Sequence, residues 1–226
     1  MKKPVSIFKN NFLKQEPWRV FRIMSEFVEG IEGLSGIKKA VSFFGSKRAE
    51  RDSEYYKLAY RTAKLLANNG YDIITGAGPG IMEAANKGAF ETKRKSVGLN
   101  ILIPEQQTPN PYVNYLLEFR YFFVRKVIFV KYSCAFVVLP GGFGTLDELF
   151  EAVALIQTHR VEPFPVILMN RNFWGGLLDW FKQVLLQKGT ILKKDFSLLK
   201  VVDEPQEVVK IINNFSQRKR RRGKSK

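Results

Sequence analysis

A chain of 226 residues is long enough to bury a large core as one domain with extensions, and 45% apolar content with 13% aromatics excludes global disorder. No run approaches the roughly 20 uninterrupted apolar residues of a membrane helix, and the single cysteine, Cys134, excludes an intrachain disulfide. The formal charge is +16, and seven positive charges fall in the last ten residues, QRKRRRGKSK, leaving +9 elsewhere. The N-terminal segment MKKPVSIFKNNFLKQ has lysines but no apolar stretch of the signal-peptide kind, so a cytoplasmic protein is expected. Residues 17–34 place Val20, Ile23, Met24, Phe27, Val28 and Ile31 at helical spacing. This predicts an amphipathic helix that packs on the main domain or on a second subunit. AVSFFGS (40–46) reads as a strand ending in a glycine turn, and residues 53–69 as a helix closed by Asn69-Gly70. YDIITGAG (71–78) is a strand running into a glycine loop, GIMEAANKGAFE (80–91) a helix, and SVGLNILI (96–103) a strand. EFRYFF (118–123) is expected as a short strand before a helix over 124–133, with Phe122 and Phe123 in the core. AFVVLPGG (135–142) is a buried strand followed by a helix at 144–157. PVILMN (165–170) is another strand, and residues 173–189 and 204–215 are helices.

Near-continuous apolar strands alternating with helices define an α/β fold: a doubly wound, Rossmann-like parallel sheet flanked by helices on both faces. The expected organisation is an N-terminal extension with the amphipathic helix over 1–37, the main domain over 38–215, and a basic disordered tail over 216–226. That tail reads as a solubilising end or as a source of non-specific attraction to nucleic acid or an acidic membrane; the partner expected is nucleic acid, weakly held, and no membrane.

In such a sheet, the turns after the strands lie on one edge, where ligands bind. Three of them carry glycine: Gly45-Ser46, Gly76 with Gly78 and Gly80, and PGGFGT with Gly141, Gly142, Gly144 and Thr145. None has the Gly-Lys-Ser/Thr of a P-loop. Gly76, Gly78 and Gly80 miss the last spacing of the dinucleotide fingerprint, and no acid follows at the ribose-binding distance. Three tight turns without a ligand would also account for the pattern, but their convergence in a basic domain fits a monophosphate or mononucleotide better. The lone His159 leaves no His–Cys cluster for a metal, so no metal site is expected. Thr145 and Glu148 form a T-x-x-E capping-box pattern, which explains Glu148 structurally; a first-turn carboxylate beside three glycines can equally face a ligand. Arg125 and Lys126 read either as solvated helix charges or as ligand contacts.

PGGFGTLDE (140–148), Arg125-Lys126 ahead of it, and GAGPGIMEAAN (76–86) resemble the Lonely Guy (LOG) family, whose signature is PGGxGTxxE; the resemblance covers about residues 38–190. The N-terminal helix and the segment 109–126 look like its longer bacterial subgroup. The resemblance implies a hydrolase that cleaves the N-glycosidic bond of nucleoside 5′-monophosphates, AMP or N6-prenylated cytokinin forms, to free base and ribose 5-phosphate. It implies Arg125 and Glu148 as the catalytic pair, the PGGFGT turn as phosphate holder, Lys126 as a substrate contact, and a homodimer or higher assembly of dimers. Gln106 and Gln107 stand near the place where plant-type members carry a substrate-binding carboxylate, so base preference does not transfer. The family has long carried a lysine decarboxylase label, but nothing in the sequence marks a Schiff-base lysine, and no cofactor is expected. A non-catalytic nucleotide or nucleic-acid binding module is the alternative to an enzyme.

Overall fold

The computed structural model describes residues 16–103 and 107–223. Helix α1 (Glu16–Gly33) leads into β1 (Ala40–Phe44), α2 (Glu54–Asn68), β2 (Asp72–Thr75), α3 (Ile81–Phe90) and β3 (Ser96–Ile101). After β4 (Tyr115–Phe119) come α4 (Phe122–Tyr132), β5 (Ser133–Val138), α5 (Phe143–Gln157), β6 (Val166–Met169) and α6 (Arg171–Trp180). A π-helical turn (Phe181–Leu186), a 3-10 turn (Lys193–Leu198), β7 (Leu199–Val202) and α7 (Pro205–Gly223) complete the chain.

All seven strands are parallel, in the order β4-β3-β2-β1-β5-β6-β7. The sheet is Rossmann-like, as the alternation predicts. The strand order reverses between β1 and β5, which opens a crevice beyond their carboxyl ends. β1 alternates its side chains between two cores: Val41 and Phe43 face α2, α3 and α7, whereas Ala40 and Phe44 face α1, α4 and α5. Both faces are covered, which is why β1, β2 and β3 are buried throughout.

The edges depart from expectation. β4 lies at 115–119 rather than 118–123, because its pairing with β3 sets Val97 against Tyr115 and Ile101 against Phe119. Phe122 and Phe123 therefore begin α4, and at 51% and 47% exposure they are not core. The core face of α4 is Val124, Ile128 and Phe129. β7 and the 3-10 turn before it fall between the elements expected at 173–189 and 204–215. The helix expected over 173–189 stops being α-helical after Trp180.

The amphipathic helix exists, but its buried side is different. Ile23 and Phe27 pack on the core, with Gly30 against Ile128 and Gly33 against Leu117. Val20, Met24, Val28 and Ile31 are 41–56% exposed. Leu34 and Ile37 belong to the main core, so the N-terminal extension is continuous with the domain. At the other end α7 stays helical to Gly223, past the boundary at 215 where a disordered tail was expected. Lys, Arg and Gln are good helix formers, and cations suit a helix C-terminus.

Candidate active site at the carboxyl edge of the sheet

The three glycine turns follow β1, β2 and β5, which are neighbours in the sheet, and they are stitched together around Ser46. The Ser46 amide donates to the Pro140 carbonyl at 2.9 Å, and the Ser46 carbonyl accepts from the Ile81 amide at 3.1 Å. Gly80 adopts a φ of +68°, and a Cβ there would overlap the Ser46 carbonyl oxygen. A Cβ on Gly141 would overlap Thr145 Oγ1 and lie 3.0 Å from the carbonyl carbon of Gly45. One on Gly45 would lie 2.7 Å from Ile81. These glycines let three backbones touch.

Gly142 and Gly144 differ from them. A Cβ on either meets no atom within 4 Å, and Gly142 has an ordinary negative φ of −96°. Packing does not require glycine at these two places, so the space over them is free for a ligand. Helix α5 begins here with Gly142 as its N-cap, and no side chain caps it. The first turn closes with the Thr145 and Leu146 amides on the Gly142 carbonyl, at 3.0 Å each. The amides ahead of Thr145 point out of an uncapped N-terminus, an arrangement suited to an anion. The T-x-x-E capping box does not form. Thr145 lies inside the first turn, its side chain buried against Gly141, because α5 starts two residues before it.

Glu148 sits one turn later and is 7% exposed, yet no group among the described residues hydrogen-bonds or ion-pairs with it. Burial raises its pKa to about 7; Arg125 and Lys126 pull it down, while Glu151 and Asp147 push it up. Arg125 reaches the site from α4. Its Nη1 donates to the Leu99 carbonyl at 3.3 Å and lies against Gly76, where a Cβ would come within 3.4 Å. Its Nε is buried with no hydrogen-bond partner among the described residues. The guanidinium carbon lies 5.3 Å from the Phe122 ring centre and 5.7 Å from that of Phe129. Burial lowers the Arg125 pKa, against the pull of Glu148 and Asp147.

Lys126 is held between two carboxylates of α5, Asp147 at 2.7 Å and Glu151 at 2.5 Å. Burial opposes its charge, but these bonds outweigh it and hold the ammonium above its ordinary pKa. Asp147 and Glu151 are four residues apart, so they share a helix face, a spacing that is readable in the sequence. Gln107 donates to the Gly76 carbonyl and to Asn100, each at 2.9 Å, while Gln106 lies outside the described residues. Asn110 donates to the carbonyls of Ala77 and Gly78 at 2.9 and 3.0 Å, fixing the second glycine loop.

The structure thus places Gly45, Ser46, Gly76, Gly78, Gly80, Gly141, Gly142, Gly144 and Thr145 on turns at one edge of the sheet, with Arg125, Lys126 and Glu148 reaching the same edge from α4 and α5. The family described as "Possible lysine decarboxylase" matches residues 82–212. The chain belongs to this family, the LOG family. A probable cytokinin riboside 5′-monophosphate phosphoribohydrolase of Arabidopsis thaliana is 30% identical over 160 residues, 70% of this chain and 79% of that protein. A second enzyme of that name from the same plant is 26% identical over 185 residues, covering 80% and 85% of the two chains. Among solved structures, the X-ray structure of TM1055 superposes with a TM-score of 0.59 at 26% identity, covering 78% of this chain and 99% of that one. A molybdenum cofactor binding protein from Rippkaea orientalis shares the fold, with a TM-score of 0.56 at 22% identity. LOG relatives are thus named as cytokinin riboside 5′-monophosphate phosphoribohydrolases, and the fold is shared with a protein named for binding the molybdenum cofactor.

Proposed function

We propose that this LOG-family chain hydrolyses the N-glycosidic bond of purine nucleoside 5′-monophosphates, AMP or its N6-prenylated forms. The observation that carries this reading is Glu148: a buried carboxylate with no hydrogen-bond or ion-pair partner among the described residues, one turn behind an uncapped helix N-terminus. The amides of the PGGFGT turn hold the 5′-phosphate, anchoring the ribose away from the bond that breaks. Water adds at C1′ of the ribose, and the C1′–N9 bond breaks with its electron pair leaving on the base. The water's second hydrogen stays on the new hydroxyl, and its released proton balances the base. The products are free base and ribose 5-phosphate.

Glu148, as a carboxylate, stabilises the positive charge that grows on the ribose or orients the attacking water. Arg125 holds substrate oxygens with its planar guanidinium fork, which suits bidentate contact. Lys126, held charged by Asp147 and Glu151, lowers the Glu148 pKa and so favours its carboxylate form, and it offers a donor near the substrate.

A non-catalytic nucleotide carrier would use the same phosphate turn but has no need for a partnerless carboxylate. Lysine decarboxylation fits the residues poorly. A Schiff base needs a neutral amine, and Lys126 is held as an ammonium by Asp147 and Glu151. The remaining parts of the proposal are a cytoplasmic location and assembly into homodimers. Among the described residues no helix is long and apolar enough to cross a membrane.

Chromatographic assay of the full chain against a panel of nucleoside monophosphates, including prenylated AMP, tests the reaction. Release of free base together with ribose 5-phosphate supports it. Tight binding of AMP with no base released from any member favours the carrier.

A further inference from the structure

The edge of the sheet opposite the candidate active site carries a second concentration of charge that the proposed reaction does not use. α7 starts beyond the carboxyl end of β7 and packs back along the sheet against α2 and β5, so its far end emerges at the amino edge. There Phe215 and Lys219 line an open groove of about 860 Å³ together with Lys38, Lys39 and Lys131. Lys38 and Lys39 precede β1, and Lys131 lies at the end of α4 just before β5, so separate segments deliver lysine to one place.

Little acid opposes them. Among the described residues no carboxylate pairs with Lys38, Lys39 or Lys131. Lys219 meets Glu162 at 3.6 Å, but both side chains are well exposed, and such a pair cancels little of the field. From Ser216 to Gly223 the helix continues for roughly 12 Å, with the sequence SQRKRRRG.

We propose that this amino edge binds the phosphate backbone of nucleic acid, with the basic end of α7 extending the lysine-lined groove. Nucleic acid fits better than an acidic membrane because residues 216–226 contain no apolar side chain. An interfacial helix needs an apolar face to bury among acyl chains. A phosphate backbone needs only positive charge along a track, and binding then releases counterions. The partner site lies on the far side of the sheet from Glu148, so it is independent of the reaction proposed above.

Fluorescence anisotropy tests this with the full chain and labelled 20-nucleotide RNA and DNA, single-stranded and duplex, across a salt series. Log affinity should fall linearly with log salt. The Lys38→Glu/Lys131→Glu variant should bind about tenfold more weakly at 0.1 M salt, with a slope shallower by about 2. Lys38→Gln/Lys131→Gln, a milder change, should move both quantities in the same direction, and an unchanged melting temperature shows that the fold is intact. Ending the chain after Phe215 should weaken binding further. If that truncation abolishes binding while both lysine variants are silent, the groove is not part of the site. Failure to bind any oligonucleotide at 0.1 M salt overturns the proposal, as does preferential capture by phosphatidylserine vesicles.

Discussion

Arg125 and Glu148 act on one another's charge without forming an ion pair: each shifts the other's pKa, yet no nitrogen–oxygen contact within 4.0 Å joins them. Two opposite charges buried side by side normally close on each other, because an unpaired buried charge is costly. Here each is anchored elsewhere, Arg125 by the Leu99 carbonyl and stacked rings, Glu148 by its place on α5. The separation leaves both groups able to face a third.

The cost of that arrangement predicts a stability effect at Glu148. Burial raises its pKa from 4.5 to about 7. Between those values the folded chain holds a proton that the unfolded chain releases, so the wild type loses stability as pH rises through that window. Glu148→Gln should therefore stabilise the fold above pH 8 by up to about 3 kcal/mol, the gain shrinking toward zero near pH 4.5. Denaturant melts at both pH values check this; an equal effect at both would contradict it.

Catalysis by the Glu148 carboxylate predicts that kcat/KM for AMP rises with pH through about 7, where the group ionises. Lys126 is among the charges that lower this pKa. Lys126→Met should move the ascending limb to higher pH, whatever it does to affinity. A limb falling with pH across this range would make Glu148 an acid rather than a carboxylate.

The two kinds of glycine in the PGGFGT turn should separate folding from binding. Gly141→Ala places a methyl against Thr145 and the Gly45 backbone and should lower the melting temperature by several degrees. Gly142→Ala meets no protein atom, so its melting temperature should stay near that of the wild type. Its methyl occupies the space assigned to phosphate, and KM for AMP should rise about tenfold or more, a loss of roughly 1.4 kcal/mol. Equal KM values for Gly142→Ala and wild type would place the phosphate elsewhere.

Glu26 predicts a link between the N-terminal helix and the site. Its buried carboxylate accepts from the Arg120 amide at 3.0 and 3.1 Å and from the Tyr121 amide at 3.2 Å, fixing the chain where it enters the helix that carries Arg125. Glu26→Ala leaves those amides unpaired and should cost about 1–3 kcal/mol of stability, with kcat reduced as well. Glu26→Gln keeps one acceptor oxygen and should lose less. Thermal melts paired with kcat decide the matter, and wild-type values for Glu26→Ala would remove the link.

The uncovered side of α1 predicts association. Phe21, Met24 and Val28 are more than half exposed, beside Phe123 and Val127 on the adjoining α4. Met24→Lys should shift the chain from dimer toward monomer in sedimentation velocity. A wild type that sediments as a monomer at high concentration would contradict assembly through this face.

The centre of the fold and the three glycine turns were legible because β1, β2 and β5 are buried on both faces and end where glycine is required. The edges were not. β4 and β7 are half-exposed, and their positions depend on register against β3 and β6 rather than on their own pattern. The capping-box pattern of Thr145 and Glu148 misled because Gly142 starts the helix earlier, a choice made by the turn's packing. The role of Glu26 at the entry to α4 could not be foreseen, since its partners lie 94 and 95 residues away. That Glu148 has no hydrogen-bond or ion-pair partner among the described residues is likewise a property of the fold, not of the motif.

The most direct test is AMP binding and adenine release measured side by side on the wild type and Glu148→Gln. Calorimetry should give similar affinity for the two proteins, while adenine release by the variant falls on the order of 10³-fold. Adenine release at the wild-type rate by Glu148→Gln would contradict the account.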